Sequence, residues 1–221
     1  MRIDILTLFP GMFEGFKTES IIKRAIEKGK VEINIIDIRD YTPYKNSQVD
    51  DYQFGGGGGM IMMCEPVFNA VESIKKDDSH VIILSPRGKT YNQARAYELT
   101  KYKHLIIICG HYEGFDERIY SLADEIISIG DFILTGGELA SMMISDSVIR
   151  LLDGVIADTS LKFESFNDNL LDYPVYTKPR DFRGMVVPDV LVSGNHKLIN
   201  EYRDEMREKI TREYRSDLLD K

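Results

Sequence analysis

Apolar residues gather in five short runs rich in β-branched side chains, each closed by turn residues: "IDILTLF" (3–9), "VEINIIDI" (31–38), "HVIILSP" (80–86), "HLIIICG" (104–110) and "EIISIGDFIL" (125–134). Residues 81–84 and 105–108 are apolar without alternation, the mark of strands buried on both faces. Between the runs the period changes to helical in "SIIKRAIEK", "YNQARAYELTKY" and "FDERIYSLADE". Strand, helix, strand at this spacing predicts an α/β fold: a mostly parallel sheet with helices on both faces.

Beyond the runs, "GGELASMMISDSVIRLL" (136–152) places Leu139, Met142, Met143, Val148, Leu151 and Leu152 at helical spacing, with Gly154 to cap the end. Residues 157–173 turn polar and lose their period, which reads as a linker or mobile segment. "YPVYTKPRDFRGMVVP" runs extended because of its prolines. A final amphipathic helix, 195–216, carries Leu198, Ile199, Tyr202, Met206 and Ile210 on one stripe. The expected division is 1–156, a linker 157–173, and a small helical domain 174–221.

Composition adds limits. With 43% apolar and 29% charged residues in 221, a real core can form. No run reaches the roughly 18 apolar residues of a membrane helix, and the amino terminus lacks the features of a secretory signal. A cytoplasmic protein with no membrane partner is expected. Cys64 and Cys109 lack metal-ligand spacing and read as reduced core thiols. The net charge of −8 argues weakly against nucleic acid, yet Lys17 to Lys30 holds five Lys/Arg against two acids. An anionic partner would meet that region or the chain after Pro174.

Candidate chemistry centres on glycine. "VDDYQFGGGGGMIMM" (49–63) is no triphosphate loop, since Met60 and Ile61 follow where Lys and Ser/Thr are required. Locally it stays open between a hinge and a close-approach loop. "ILSPRG" (83–88), "CGHYEG" (109–114) and "SIGDFILTGGEL" (128–139) each set glycine just past a strand's carboxyl end. In an open α/β sheet that edge binds ligands, and glycine lets main chain come close to them. Together the three loops point to a pocket of unspecified ligand.

In order, "VDDYQFGGGGGMIMM", "LSPRG", "CGHYEGFDERI", "SIGDFILTGGELASM", "DSVIRLLDGV", "LLDYPVYTKP" and "LVSGNH" resemble the bacterial tRNA (guanine-N1)-methyltransferase family, TrmD, of the SPOUT class. The resemblance runs from residue 1 to about 200 and implies a deep carboxyl-terminal trefoil knot. It further implies a homodimer with active sites at the subunit interface, S-adenosyl-L-methionine as methyl donor, and N1 of guanosine-37 in the tRNA anticodon stem-loop as acceptor. Mg2+ is suspected without assignable ligands, and the carboxyl-terminal domain is expected to be shortened. The implied donor contacts are Ile83, Leu84, Ser85, Pro86, Gly110, Tyr112, Glu113, Gly114, Ile129, Gly130, Asp131, Phe132, Ile133, Leu134, Gly136 and Gly137. Arg150 would stabilise charge on guanine O6, and Glu164 from the partner's linker would remove the N1 proton. The family pattern has Asp where this chain has Glu164, and Asp168 is the rival base. Asp50, Gly57 and Gly59 would face the RNA, and Lys178, Arg180, Arg183 and His196 would contact it, with Lys23, Arg24 and Lys28 as weaker candidates. Two rivals remain at this point: a SPOUT enzyme with another RNA target, and a non-catalytic RNA-binding homologue.

Overall fold

The computed structural model describes residues 1–161 and 164–220. Contacts divide the chain into two compact units, 1–156 and 157–221.

The first unit is built on five parallel strands: β1 (Arg2–Thr7), β2 (Glu32–Asp37), β5 (Ser79–Thr90), β6 (His104–Ile108) and β7 (Glu125–Ser128). Their order is β2-β1-β6-β5-β7. Alternation of side chains sorts the strands' residues into two cores. Ile3, Ile5, Ile82, Leu84, Leu105, Ile107 and Ile127 join one apolar cluster, and Leu6, Val81, Ile83, Ile106 and Ile108 join the other. Helices α2 (Ser20–Glu27), α4 (Gln93–Leu99) and α5 (Glu138–Ile149) cover the first face, following the short helix α1 (Glu14–Thr18). Helix α3 (Cys64–Ile74) covers the second with Val67, Ala70 and Val71. Burial on both faces is why β5 and β6 lack polar alternation.

Four elements differ from the reading of the sequence. Residues 129–134 leave the sheet at Ser128 and form a loop, because Phe132 and Ile133 are mostly exposed and have no sheet neighbour to pack against. "FDERIYSLADE" forms only a 3-10 turn over Glu117–Leu122, begun by the Asp116 carboxylate accepting from the Arg118 amide. The glycine run is the turn of a hairpin between β3 (Asp50–Tyr52) and β4 (Met60–Met62). Helix α3, just after it, has no counterpart among the predicted helices.

At the opposite edge of the sheet, Asp4 and His104 are buried. Arg2, Asn34 and His104 all hydrogen-bond the Asp4 carboxylate, at 2.7 to 3.1 Å, and Ser79 Oγ lies 2.7 Å from His104 Nδ1. Burial pushes this carboxyl up, but its hydrogen bonds outweigh that and hold it below the usual carboxylate range.

In the second unit, α6 (Asp158–Leu161) precedes an irregular stretch. The tiny hairpin β8 (Asp181–Phe182) and β9 (Met185–Val186) and the long helix α7 (His196–Tyr214) follow. Asn195 caps α7 by accepting from the amides of Lys197 and Leu198. Residues 164–172 are tied to α7: the Leu171 amide donates to Thr211 Oγ1, and Arg207 donates to the Leu171 carbonyl and to both oxygens of Asp168.

Candidate active site

The carboxyl-terminal edge of the sheet carries a cavity of about 430 Å³, within the usual range for small-molecule sites. Three chain segments line it: 84–86 from β5, 110–115 after β6, and 127–137 from the end of β7 to the start of α5, with Tyr120 and Ala140 completing the wall.

Strand β5 is interrupted where it meets the cavity. Leu84 and Lys89 both pair with Ile127, so Ser85 to Gly88 loop out of the ladder. The looped segment is pinned from outside. Ser85 Oγ lies 3.2 Å from the Tyr120 hydroxyl, and the Arg87 guanidinium sits 4.2 Å over the Tyr120 ring while donating to Glu117 at 2.8 and 2.9 Å.

The third segment closes on the second by main chain alone. The Gly137 amide donates to the Gly110 carbonyl at 2.8 Å. A Cβ at Gly137 would meet Cys109 Cα at 2.7 Å and the Gly110 nitrogen at 2.9 Å, so only glycine permits this approach. Beside it, Glu138 is buried and accepts from Thr7 Oγ1 at 2.7 Å. The His111 ring lies 4.7 Å from the Phe9 ring and 5.0 Å from that of Tyr112, and its Nδ1 is buried without a partner among the described residues.

Of the donor contacts implied by resemblance, Leu84, Ser85, Pro86, Gly110, Tyr112, Glu113, Gly114, Ile129, Gly130, Phe132, Ile133, Leu134, Gly136 and Gly137 stand together in this cavity wall. Ile83 does not line it, because its side chain is fully buried in the core, and Asp131 is exposed outside the lining. His111, Phe115, Tyr120, Ile127, Ser128, Thr135 and Ala140 line it without having been singled out. The signal for His111 lay within "CGHYEG", a polar ring between two recognised glycines.

The glycine hairpin adjoins the same wall. The Glu113 amide donates to the Met60 carbonyl and the Met62 amide to the Gly114 carbonyl. Asp50 lies near the Tyr112 hydroxyl, and burial together with that carboxylate raises the phenol above its ordinary value. Gly59 presses on Glu113, while Gly57 is exposed next to Gln53. Asp50 and Gly59 are thus joined to the rim, and Gly57 lies out along the turn.

The remaining candidates are not among the residues that line the cavity. Arg150 caps the far end of α5, twelve residues past the buried Glu138, or about 18 Å along the helix at 1.5 Å per residue. Glu164 belongs to the second unit and is half-buried; Lys162 and Phe163 of its motif lie outside the described residues. Asp168 is held by Arg207, whose hydrogen bonds keep its carboxyl below the usual range. Lys178, Arg180 and His196 line a separate hollow of about 660 Å³ with Tyr173, Tyr176 and Arg203, and Arg183 sits beside Phe182 at the turn of the small hairpin. Lys23, Arg24 and Lys28 are exposed on α2 or at its cap.

Both thiols are free, and burial pushes each up, Cys64 to about 11 and Cys109 further. Among the described residues no group of three or more His, Cys, Asp or Glu is placed to share a metal ion, and no helix is long and apolar enough to cross a membrane.

A parallel sheet with a main-chain-lined cavity at its carboxyl edge defines an open α/β protein that binds a small molecule at the end of its strands. The model of the family described as tRNA (Guanine-1)-methyltransferase TrmD matches residues 1–221. A Ureaplasma urealyticum protein named tRNA (guanine-N(1)-)-methyltransferase is 55% identical over 222 residues, covering 100% of this chain and 97% of its own. Proteins of the same name from Geobacillus kaustophilus and Carboxydothermus hydrogenoformans are 54% and 55% identical, covering 100% and 99% of this chain and 92% and 87% of their own. The chain belongs to the TrmD family.

Proposed function

We propose that the chain transfers a methyl group from S-adenosyl-L-methionine to N1 of guanosine-37, the nucleotide 3′ of the anticodon, in cytoplasmic tRNA. The observation that carries this reading is one coincidence. The loops of the family motifs assemble one cavity, in a chain that matches relatives named for this reaction along its whole length.

The cavity suits such a donor. Its walls combine glycine main chain, apolar side chains and a few hydroxyls, its lining includes His111 with a buried Nδ1 unpartnered among the described residues, and the exposed Glu113 carboxylate can pair with an ammonium group. Leu84 to Pro86, Gly110, Ile129, Gly130, Phe132 to Leu134, Gly136 and Gly137 would hold it. When bound, the donor supplies an electrophilic methyl carbon on a sulfonium. The chain's task is then to place N1 in line with that carbon and to free the N1 lone pair.

N1 of guanine is a poor nucleophile while it carries its proton. Glu164 accepts that proton, a contribution of typically 10²–10⁴-fold from a positioned base. Negative charge develops at O6 as the proton leaves, and the Arg150 guanidinium, always charged, stabilises it. Asp168, already engaged by Arg207, positions the segment that carries Glu164 and does not act as the base. Because Arg150 stands ten residues, about 15 Å, along α5 from Ala140 in the cavity wall of its own chain, we place it and Glu164 in the cavity of a second copy, making the enzyme a homodimer with shared sites.

Methyl transfer to tRNA transcripts with guanosine or inosine at position 37, and with varied bases before it, tests the reading. Transfer to N1 of position 37 is expected. Transfer to another position indicates a different RNA target, and donor uptake without transfer indicates a non-catalytic homologue; either outcome overturns the proposal.

A further inference from the structure

The tip of the β3–β4 hairpin carries a feature that the transfer chemistry does not use. Phe54 is 100% exposed and Tyr52 76% exposed, so no protein atom of this chain shields either ring to any great extent. Burying an aromatic ring of this size is worth a few kcal/mol, and a soluble chain that leaves one wholly in water at a turn forgoes that gain. The five residues that follow Phe54 have no side chains, and Gly55, Gly56, Gly57 and Gly59 all take positive φ, which keeps bulk away from the ring.

Strand β4 of this hairpin is fixed to the cavity along its length. The Met62 amide donates to the Gly114 carbonyl at 2.9 Å, the Asp116 amide to the Met62 carbonyl at 3.0 Å, and the Glu113 amide to the Met60 carbonyl at 3.0 Å. Tyr52 pairs with Met60, so Phe54 lies only two residues, about 7 Å of extended chain, beyond the outermost of these anchors. A ring so near the rim is within reach of a chain that continues out of the cavity. Residues 46–74 contain no Lys or Arg and bring Asp50 and Asp51 to the stem, so this segment carries no cationic side chain for a phosphate. What it offers is a bare π-face beside unobstructed main chain.

We propose that Phe54 is a stacking platform for an unpaired nucleobase flanking the one that enters the cavity, and that Phe54 thereby contributes to RNA affinity without taking part in the chemistry. The proposal rests on the RNA reading given above. Base–aromatic stacking is sequence-tolerant and is available only to unstacked, single-stranded nucleotides, which a stem-loop supplies. Since stacking is made equally in the ground and transition states, it acts on KM and leaves kcat alone. Without a phosphate contact, its contribution does not change the salt dependence of binding.

The test uses the full chain and an anticodon stem-loop RNA with 2-aminopurine beside the target guanosine. Wild-type protein is expected to quench the probe on binding, and Phe54→Leu to lose the quench. Phe54→Leu should also raise KM for the RNA about tenfold with kcat within a factor of about two, and Phe54→Tyr should restore both. Donor affinity by calorimetry and the salt slope of RNA binding should stay at wild-type values in both variants. An unchanged KM and quench in Phe54→Leu overturns the proposal, as does an equal loss in Phe54→Leu and Phe54→Tyr. A fall in dimer stability on sedimentation of Phe54→Leu would assign the ring to a second copy of the chain and overturn it too. The quench is read without turnover, so a protein that binds RNA but transfers no methyl still decides the role of Phe54.

Discussion

The two units hold their functional residues in different ways. In the first, the cavity loops spring from strands whose Val81, Ile82, Ile83 and Leu105 to Ile108 are almost wholly buried, so burial itself fixes the rim. In the second, Ile199 and Leu218 are the buried apolar residues among those described, and the segment bearing Glu164 is held largely by polar contacts to Arg207 and Thr211. The first unit therefore presents a preformed pocket held by its buried strands. The second holds the segment that carries Glu164 through the Asp168–Arg207 ion pair, which protonation can undo. A site that needs a rigid grip on one partner and an adjustable one on the other gains from this division.

The contrast can be broken most severely at the main-chain contact between loops. Gly137→Val puts branched carbons where Cys109 Cα would lie 2.7 Å from the first of them, so donor binding by calorimetry should fall below detection while the fold persists by circular dichroism. Next in size are the proposed catalytic groups. Arg150→Ala and Glu164→Gln should lower single-turnover rates by about 10²–10⁴-fold with donor affinity unchanged. Asp168→Asn should cost less than about tenfold, and the reverse ranking of Glu164 and Asp168 would transfer the base role to Asp168. On the sheet's far edge, Asp4→Ala strips a buried carboxylate from Arg2 and His104, and should destabilise the first unit by about 3–5 kcal/mol in denaturant titrations.

The smallest effect sharpens the comparison. Asp168 has a depressed carboxyl in the folded chain, so its contribution is present above the unfolded value near 3.9 and is lost as pH falls through the lower folded value. Being about half exposed, the pair is worth roughly 1 kcal/mol. Asp168→Asn should thus lower thermal stability at pH 6, and the gap to wild type should close as pH falls below about 4. A gap that persists in acid would show that Arg207 holds the segment by other means.

Much of this architecture can be read from residue pattern, and the exceptions are physical. Strands β5 and β6 declare themselves because burial on both faces removes polar alternation. Residues 129–134 mislead because the apolar side chains Ile129, Phe132, Ile133 and Leu134 line a cavity, and an apolar run does not say whether it faces core or ligand. Strands β3 and β4 have three residues each, too short for any period to register against five glycines. The lining loops are legible as glycines past strand ends, whereas His111 becomes visible only when its ring is seen against Phe9 with an unsatisfied nitrogen. The restraint on Asp168 could not be read locally, since Arg207 lies 39 residues away. Of the candidate site, the loops were legible from chemistry, while the roles of Arg150 and Glu164 rest on family resemblance.

The most direct test of the shared site is subunit mixing. Gly137→Val loses its cavity and keeps its Glu164, while Glu164→Gln keeps its cavity and loses its base. Unfolded together and refolded as mixed dimers, the two inactive variants should recover about a quarter of wild-type methyl transfer, since one site in four then pairs an intact cavity with the partner's intact acid. Activity that stays at the level of the separate variants would contradict the account, placing cavity and base within one chain.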